Sequence, residues 1–165
     1  MGTRRCSKLS LRGTISSHFH SLQFTPSHSS LEQIESLLSR VKAHLRLQGR
    51  FIVDIFKPKL EILQRDPSER HQVAKYENPH GEGTVTVMEQ TRYDSATQLM
   101  HIKWYYELAE REFVAEWENR ILFPKEVDAL LKYNGFEIEE KYGDFKESPF
   151  THTSEKQPIV CRKKA

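Results

Sequence analysis

Few residues in this sequence are of types and spacings that do chemistry unaided. Eight histidines are present, and His18 and His20 are spaced to fall on the same side of a strand. A structural zinc needs four ligands, however, and no third one is identifiable beside this pair. Cys6 and Cys161 lie at opposite ends of the chain, so they form neither a zinc knuckle nor a disulfide framework and are expected as reduced thiols. No metal site is therefore expected. The sequence also lacks a Gly-x-Ser-x-Gly nucleophile elbow and any readable nucleophile–base pair. Gly81-Glu82-Gly83 is the one approach to a dinucleotide fingerprint. It precedes a strand instead of following one, and Thr86 stands where a third glycine belongs, so it is expected as a turn.

What remains is suited to binding more than to bond-making. Tyr93, Trp104, Tyr105 and Tyr106 either roof a substrate, with ring faces that attract a cationic amine, or pair across strands of a small sheet. Arg120 either clamps a carboxylate bidentately or forms an ion pair with Glu116 or Glu118. Asp54, set in an apolar run, either satisfies a neighbouring backbone group or orients a ligand.

The elements that must position these residues are legible. Leu31, Ile34, Leu37, Leu38, Val41 and Leu45 recur at helical spacing, predicting a helix over residues 29–46. Ser29 with Glu32, or Ser30 with Gln33, offers a capping box, and Gly49 is expected to end the helix with a positive dihedral. Phe51 to Phe56 is apolar on both faces, as in a strand covered by helices on both sides, and Pro58 closes it. Residues 57–80 are polar, with a short helix around Leu60 to Leu63 and then a loop. From Gly83 the period becomes two. Val85 and Val87, a turn at Tyr93 to Thr97, Met100 to Tyr106 and Phe113 to Ile121 predict an antiparallel meander with one wet face. Pro124 opens a second helix, Asn134-Gly135 ends it, and two strands follow, the last at Pro158 to Arg162. This order is one half of a doubly wound sheet, whose ligands bind beyond the carboxyl ends of its strands.

The 165 residues are 37% hydrophobic and carry a net charge of +2, too near neutrality for a dedicated nucleic-acid binder. All four basic residues of the first 31 lack acidic neighbours there, and residues 162–164 are basic, leaving 18 basic against 23 acidic residues between 32 and 161. No stretch reaches the roughly 18 apolar residues of a membrane span. A cytoplasmic protein without nucleic-acid or membrane partners is expected, although the acid-free amino end also has the composition of an organelle transit peptide.

Several blocks together resemble a known family. Phe19-His20-Ser21-Leu22-Gln23-Phe24, the capped helix, and His44-Leu45-Arg46-Leu47-Gln48-Gly49-Arg50 leading into Phe51 to Phe56 resemble the middle of class I S-adenosylmethionine-dependent methyltransferases. There a segment like Phe-Asn-Ser-Leu-Gln-His leaves the fourth strand, and a helix ending near His-Leu-Lys-Pro-Gly-Gly-Arg introduces the fifth. Tyr93-Asp94 with Thr97-Gln98, Arg120 to Glu126, Asn134-Gly135-Phe136, and Tyr142 to Phe145 with Ser148-Pro149-Phe150 are similar to the branch bearing an antiparallel insertion over its active site. The likeness covers residues 19–163. His20 departs from the family's frequent Asn, and Leu47 and Gln48 from its Pro and Gly.

The resemblance implies an α/β fold, a partial Rossmann-like doubly wound sheet of the carboxyl half, with the inserted meander at 83–122 and an irregular segment at 1–18. It implies S-adenosylmethionine beside Phe19, His20, Ser21 and Gln23. It implies a small-molecule substrate near Tyr93, Trp104, Tyr106, Arg120, Gly143 and Asp144. The family's acidic and glycine-rich first loop has no counterpart in this sequence, so the expectation is a truncated enzyme or a non-catalytic remnant. The remnant would pair its open sheet edge as a homodimer or with a complementing chain.

Overall fold

The computed structural model describes residues 21–23, 30–109 and 111–164. Its elements are β1 (Ser21–Gln23), α1 (Leu31–His44), β2 (Arg50–Asp54), α2 (Leu60–Leu63), β3 (His71–Glu77), β4 (Thr84–Asp94), β5 (Leu99–Leu108), β6 (Arg111–Arg120), α3 (Pro124–Tyr133), β7 (Phe136–Lys141) and β8 (Ile159–Lys163). They form two four-stranded sheets, ordered β1-β2-β8-β7 and β3-β4-β5-β6.

In the first sheet β1 runs parallel to β2, and β8 lies antiparallel between β2 and β7. Direct pairing of Phe51 with Cys161 and of Val53 with Ile159 puts all four side chains on one face. Ile34 and Leu38 of α1, Val127 and Leu131 of α3, Leu122 and Phe136 close over that face. Each such side chain taken from water contributes about 1.5–3 kcal/mol, so this layer is the main source of stability. The opposite face mixes the half-buried pair Ile52 and Val160 with ion pairs. Arg50 meets Glu139 at 2.6 Å and Arg162 meets Glu137 at 3.0 Å, so helices cover β2 on one side among the described residues, not on both.

The helix ends follow their local chemistry. Gln33 N–H donates to Ser30 Oγ at 3.2 Å and Ser30 N–H to Gln33 Oε1 at 3.4 Å, so of the two candidate capping boxes the Ser30 one forms. Leu31 at the start of the expected stripe is 40% exposed. Gly49 does not end α1. The chain turns extended at Leu45, and Gly49 keeps an ordinary dihedral; it is needed for space, since a Cβ there would meet Leu45 Cδ1 at 3.0 Å. Gly135, at φ +85°, does end α3 as expected.

The second sheet begins earlier than expected, at His71, because β3 pairs with β4. A bulge between Gln72 and Ala74 breaks its period of two, and most of its residues are exposed, which hides the strand in a polar stretch. Gly81 to Gly83 forms the β3–β4 turn, with Gly83 at φ +94°. Both faces of the meander hold a buried residue, Ile102 on one and Tyr105 on the other, so neither is simply wet.

Candidate functional site

The topology gathers strand ends at one place. Gln23 pairs with Asp54 at the carboxyl ends of the parallel strands β1 and β2. Because β2 and β7 are each antiparallel to β8, they run the same way, and Gly143 and Asp144 leave β7 at that same end. The meander departs from β2 through α2 and returns to the start of α3, so it too is rooted there.

The loop from Tyr142 to Pro158 is bound to this end by its backbone. Gln157 N–H donates to the Ile55 carbonyl at 2.9 Å, and Lys57 N–H to the Glu155 carbonyl at 3.0 Å. Gly143 is buried, and a Cβ on it would lie 2.4 Å from Ser154 Oγ and 3.0 Å from the Pro149 carbonyl oxygen. Asp144 accepts from the Ser148 hydroxyl at 2.8 Å and from the Lys146 and Ser148 amides at 2.8 and 3.1 Å. Hydrogen bonding by Ser148, first through its hydroxyl and then its amide, holds this carboxyl below its usual range. Asp144 thus shapes the loop and spends its oxygens within it.

Tyr93, Trp104 and Tyr106 share one face of the meander, as their pairing with Met100, Glu89 and Val87 requires. All three are half-buried. The Trp104 ring meets Trp117 edge-on at 5.0 Å and Tyr106 at 6.2 Å. Its Nε1–H donates to Glu89 Oε2 at 2.8 Å, while Arg65 Nη1 donates to Glu89 Oε1 at 3.1 Å. Glu89 and Arg65 were not among the sequence candidates, and nothing in Met88-Glu89-Gln90 distinguishes this glutamate from a solvated strand residue. Tyr105 points the other way. Its hydroxyl donates to Gln90 Oε1 at 2.6 Å, and the Arg70 guanidinium stacks 3.4 Å above its ring. That opposite face carries an open groove of about 590 Å³, lined in part by the His101–Glu118 and Lys103–Glu116 pairs.

Arg120 donates to the Thr97 carbonyl at 3.0 Å across the β5–β6 end. Glu116 and Glu118, the two acids near it in sequence, meet Lys103 and His101 at 2.9 and 2.7 Å. Arg120 also adds to the fields that keep the Glu32 carboxyl below its usual range, behind backbone hydrogen bonding and the Ser30 hydroxyl. Phe19 and His20 lie outside the described residues, whereas the backbone of Ser21 and Gln23 forms β1.

Other chemistry finds no foothold among the described residues. No group of three His, Cys, Asp or Glu side chains there could hold a metal ion. Cys161 is fully buried, donates to the Phe51 carbonyl at 3.2 Å, and burial pushes its thiol up to about 12, the opposite of a nucleophile's environment. No helix among these residues is long and apolar enough to cross a membrane.

No family model matches this chain, and no curated protein matches it. Solved structures do. The CcbJ methyltransferase from Streptomyces caelestis superposes with a TM-score of 0.69 at 17% identity, over 89% of this chain and 56% of that one. The fold is that of class I S-adenosylmethionine-dependent methyltransferases. An S-adenosylmethionine-dependent methyltransferase from Clostridium acetobutylicum matches with a TM-score of 0.64, 17% identity, and coverage of 89% and 57%. CalS10 from Micromonospora echinaspora, an amino pentose methyltransferase solved with S-adenosylmethionine bound, matches at 0.51 and 17%, with coverage of 81% and 52%. The chain therefore spans just over half the length of the methyltransferases it matches.

Proposed function

We propose that this chain forms the substrate-side half of an S-adenosylmethionine-dependent methyltransferase acting on the nitrogen or oxygen of a small molecule. The observation that carries this reading is the convergence of Gln23, Asp54 and the Gly143–Asp144 loop at one sheet end, where the aromatic-faced meander is also rooted. Open α/β sheets bind ligands at that end. The small-molecule class is supported by CalS10, whose substrate is an amino pentose.

S-adenosylmethionine, when bound, supplies a methyl group already activated on a sulfonium, so the protein's task is alignment in a dry site. The residues present fit one side of such a site. Ser21 and Gln23 would border the cofactor where β1 ends, and Tyr93, Trp104 and Tyr106 would shield the acceptor from water. The glycine-rich cradle for the methionine end has no counterpart in the sequence, and β1, with one neighbour in the described sheet, is where the half carrying it would add. An edge with no second neighbour among the described strands also favours a second reading, a non-catalytic subunit that pairs through β1 with a copy of itself or a complementing chain.

Thermal melting of the protein with S-adenosylmethionine tests the first reading. A ligand at about 100 times its dissociation constant stabilises the folded state by about 2.7 kcal/mol, several degrees for a chain of this size. A saturable rise is the expected result. No rise at millimolar cofactor, together with a dimer by light scattering, would leave the second reading standing.

A further inference from the structure

Asp54 is the last residue of β2, and only 7% of its surface is exposed. Its Oδ1 is buried without a hydrogen-bond partner. An ionised carboxylate taken from water costs free energy unless a donor or a cation answers it. The cations that follow it in sequence are committed elsewhere: Lys57 donates to the His152 carbonyl, and Lys59 meets Glu155 at 2.7 Å. The side chain also sits on the face of β2 away from the apolar core, since Val53, its neighbour, points into that core. Its register partner is Gln23, so the unanswered carboxylate stands where the two parallel strands end together.

We propose that Asp54 is a ligand-binding residue whose Oδ1 accepts a hydrogen bond from a protonated amine of the acceptor molecule. This rests on the methyltransferase reading above and deepens it. The Oδ1 lone pairs are unfilled, and an amine N–H is a donor that fills them. An ammonium adds to the hydrogen bond a Coulombic attraction that a neutral hydroxyl lacks, which selects an amine-bearing molecule over its neutral counterpart. Like charge excludes an acid.

The experiment follows the Asp54 side-chain carboxyl resonance of the full chain while glucosamine, glucose and glucuronate are added in turn. A saturable shift is expected with glucosamine, a weaker one with glucose and none with glucuronate. Asp54→Asn should weaken glucosamine binding by about tenfold and leave the melting temperature equal or higher, because the Oδ1 it alters has no partner within the fold. The proposal is overturned by no saturable shift with glucosamine, by equal binding in Asp54→Asn, or by a variant melting several degrees lower, the mark of a structural partner. Titration with S-adenosylmethionine is scored separately. A cofactor response without an Asp54 response removes this inference alone, whereas an Asp54 response without one keeps the amine site and removes the methyltransferase reading.

Discussion

Trp104 is tied to Glu89 across the β4–β5 pair, its indole Nε1–H donating to Oε2 at 2.8 Å. The other oxygen of the same carboxylate takes Arg65 at 3.1 Å, from the connection between α2 and β3. One glutamate thus fixes the largest ring of the aromatic face and joins the meander to the segment that leaves β2. The Arg65 and Glu89 side chains are 26% and 16% exposed, dry enough for a charge-assisted pair to hold.

Replacing Glu89 with Ala should therefore cost about 1.5–3 kcal/mol, the range for a hydrogen bond to a charged group. It should also free the Trp104 indole to reorient. Tryptophan emission reads this directly: Glu89→Ala shifts it to the red, and Glu89→Gln, which keeps an acceptor for the indole, leaves it close to the original. Unchanged emission in the alanine variant would show that packing against Trp117 and Tyr106 alone holds the ring.

Gly143 makes a second prediction. A methyl group there would sit 2.4 Å from Ser154 Oγ and 3.0 Å from the Pro149 carbonyl oxygen. The hydroxyl can rotate away, but the carbonyl belongs to the loop backbone and cannot. Gly143→Ala should cost about 1–3 kcal/mol of stability, as overpacking of a tight site does. Denaturant unfolding measures it, and a midpoint equal to the wild type would mean that the loop yields without cost.

These two sites differ in how far the sequence disclosed them. Trp104 and Tyr106 could be placed on one face by period alone, because strand alternation is a property of the backbone, whereas Tyr93, which the sequence places in a turn, joins that face only through its pairing with Met100. Their anchor could not, since Glu89 owes its role to Arg65, 24 positions earlier, and side-chain pairing at that range leaves no local pattern. The same limit hid β3, an edge strand whose bulge breaks the alternation that reveals the others. Gly135 was legible as a helix terminator because Asn-Gly after an apolar stripe has few other uses. Gly49 misled because the same residue type also serves close approach, and only the Leu45 contact tells the two apart. Asp54 stood out as a polar residue in an apolar run, but its lack of a partner is a fact of three dimensions.

The Asp144 carboxyl yields a pH prediction. Its pKa is lowered in the folded protein, chiefly by the Ser148 hydroxyl. The stability it contributes is thus present above the unfolded carboxyl value of about 3.9 and is lost as pH falls through the lower folded value. Ser148→Ala should raise the Asp144 pKa toward that unfolded value and narrow this acid-side window. Side-chain carboxyl resonances followed through an acid titration check it, and an Asp144 midpoint unmoved by the substitution would contradict the assignment.

The alkaline side belongs to Cys161. Burial at the β2–β8 pair raises its pKa from the usual range to about 12, since the thiolate would be stranded among Phe51, Val53 and Phe136. The folded protein keeps the proton that the unfolded chain releases. The stability this thiol lends is therefore complete below the unfolded value of about 8.5 and declines as pH rises toward 12. The same burial makes the thiol inert at neutral pH. Iodoacetamide at pH 8 should leave Cys161 unmodified in the native protein and alkylate it once denaturant unfolds the chain, with peptide mass spectrometry separating it from Cys6. Rapid native labelling of Cys161 would mean that the sheet opens between β2 and β8 far more often than its packing against α1 and α3 allows.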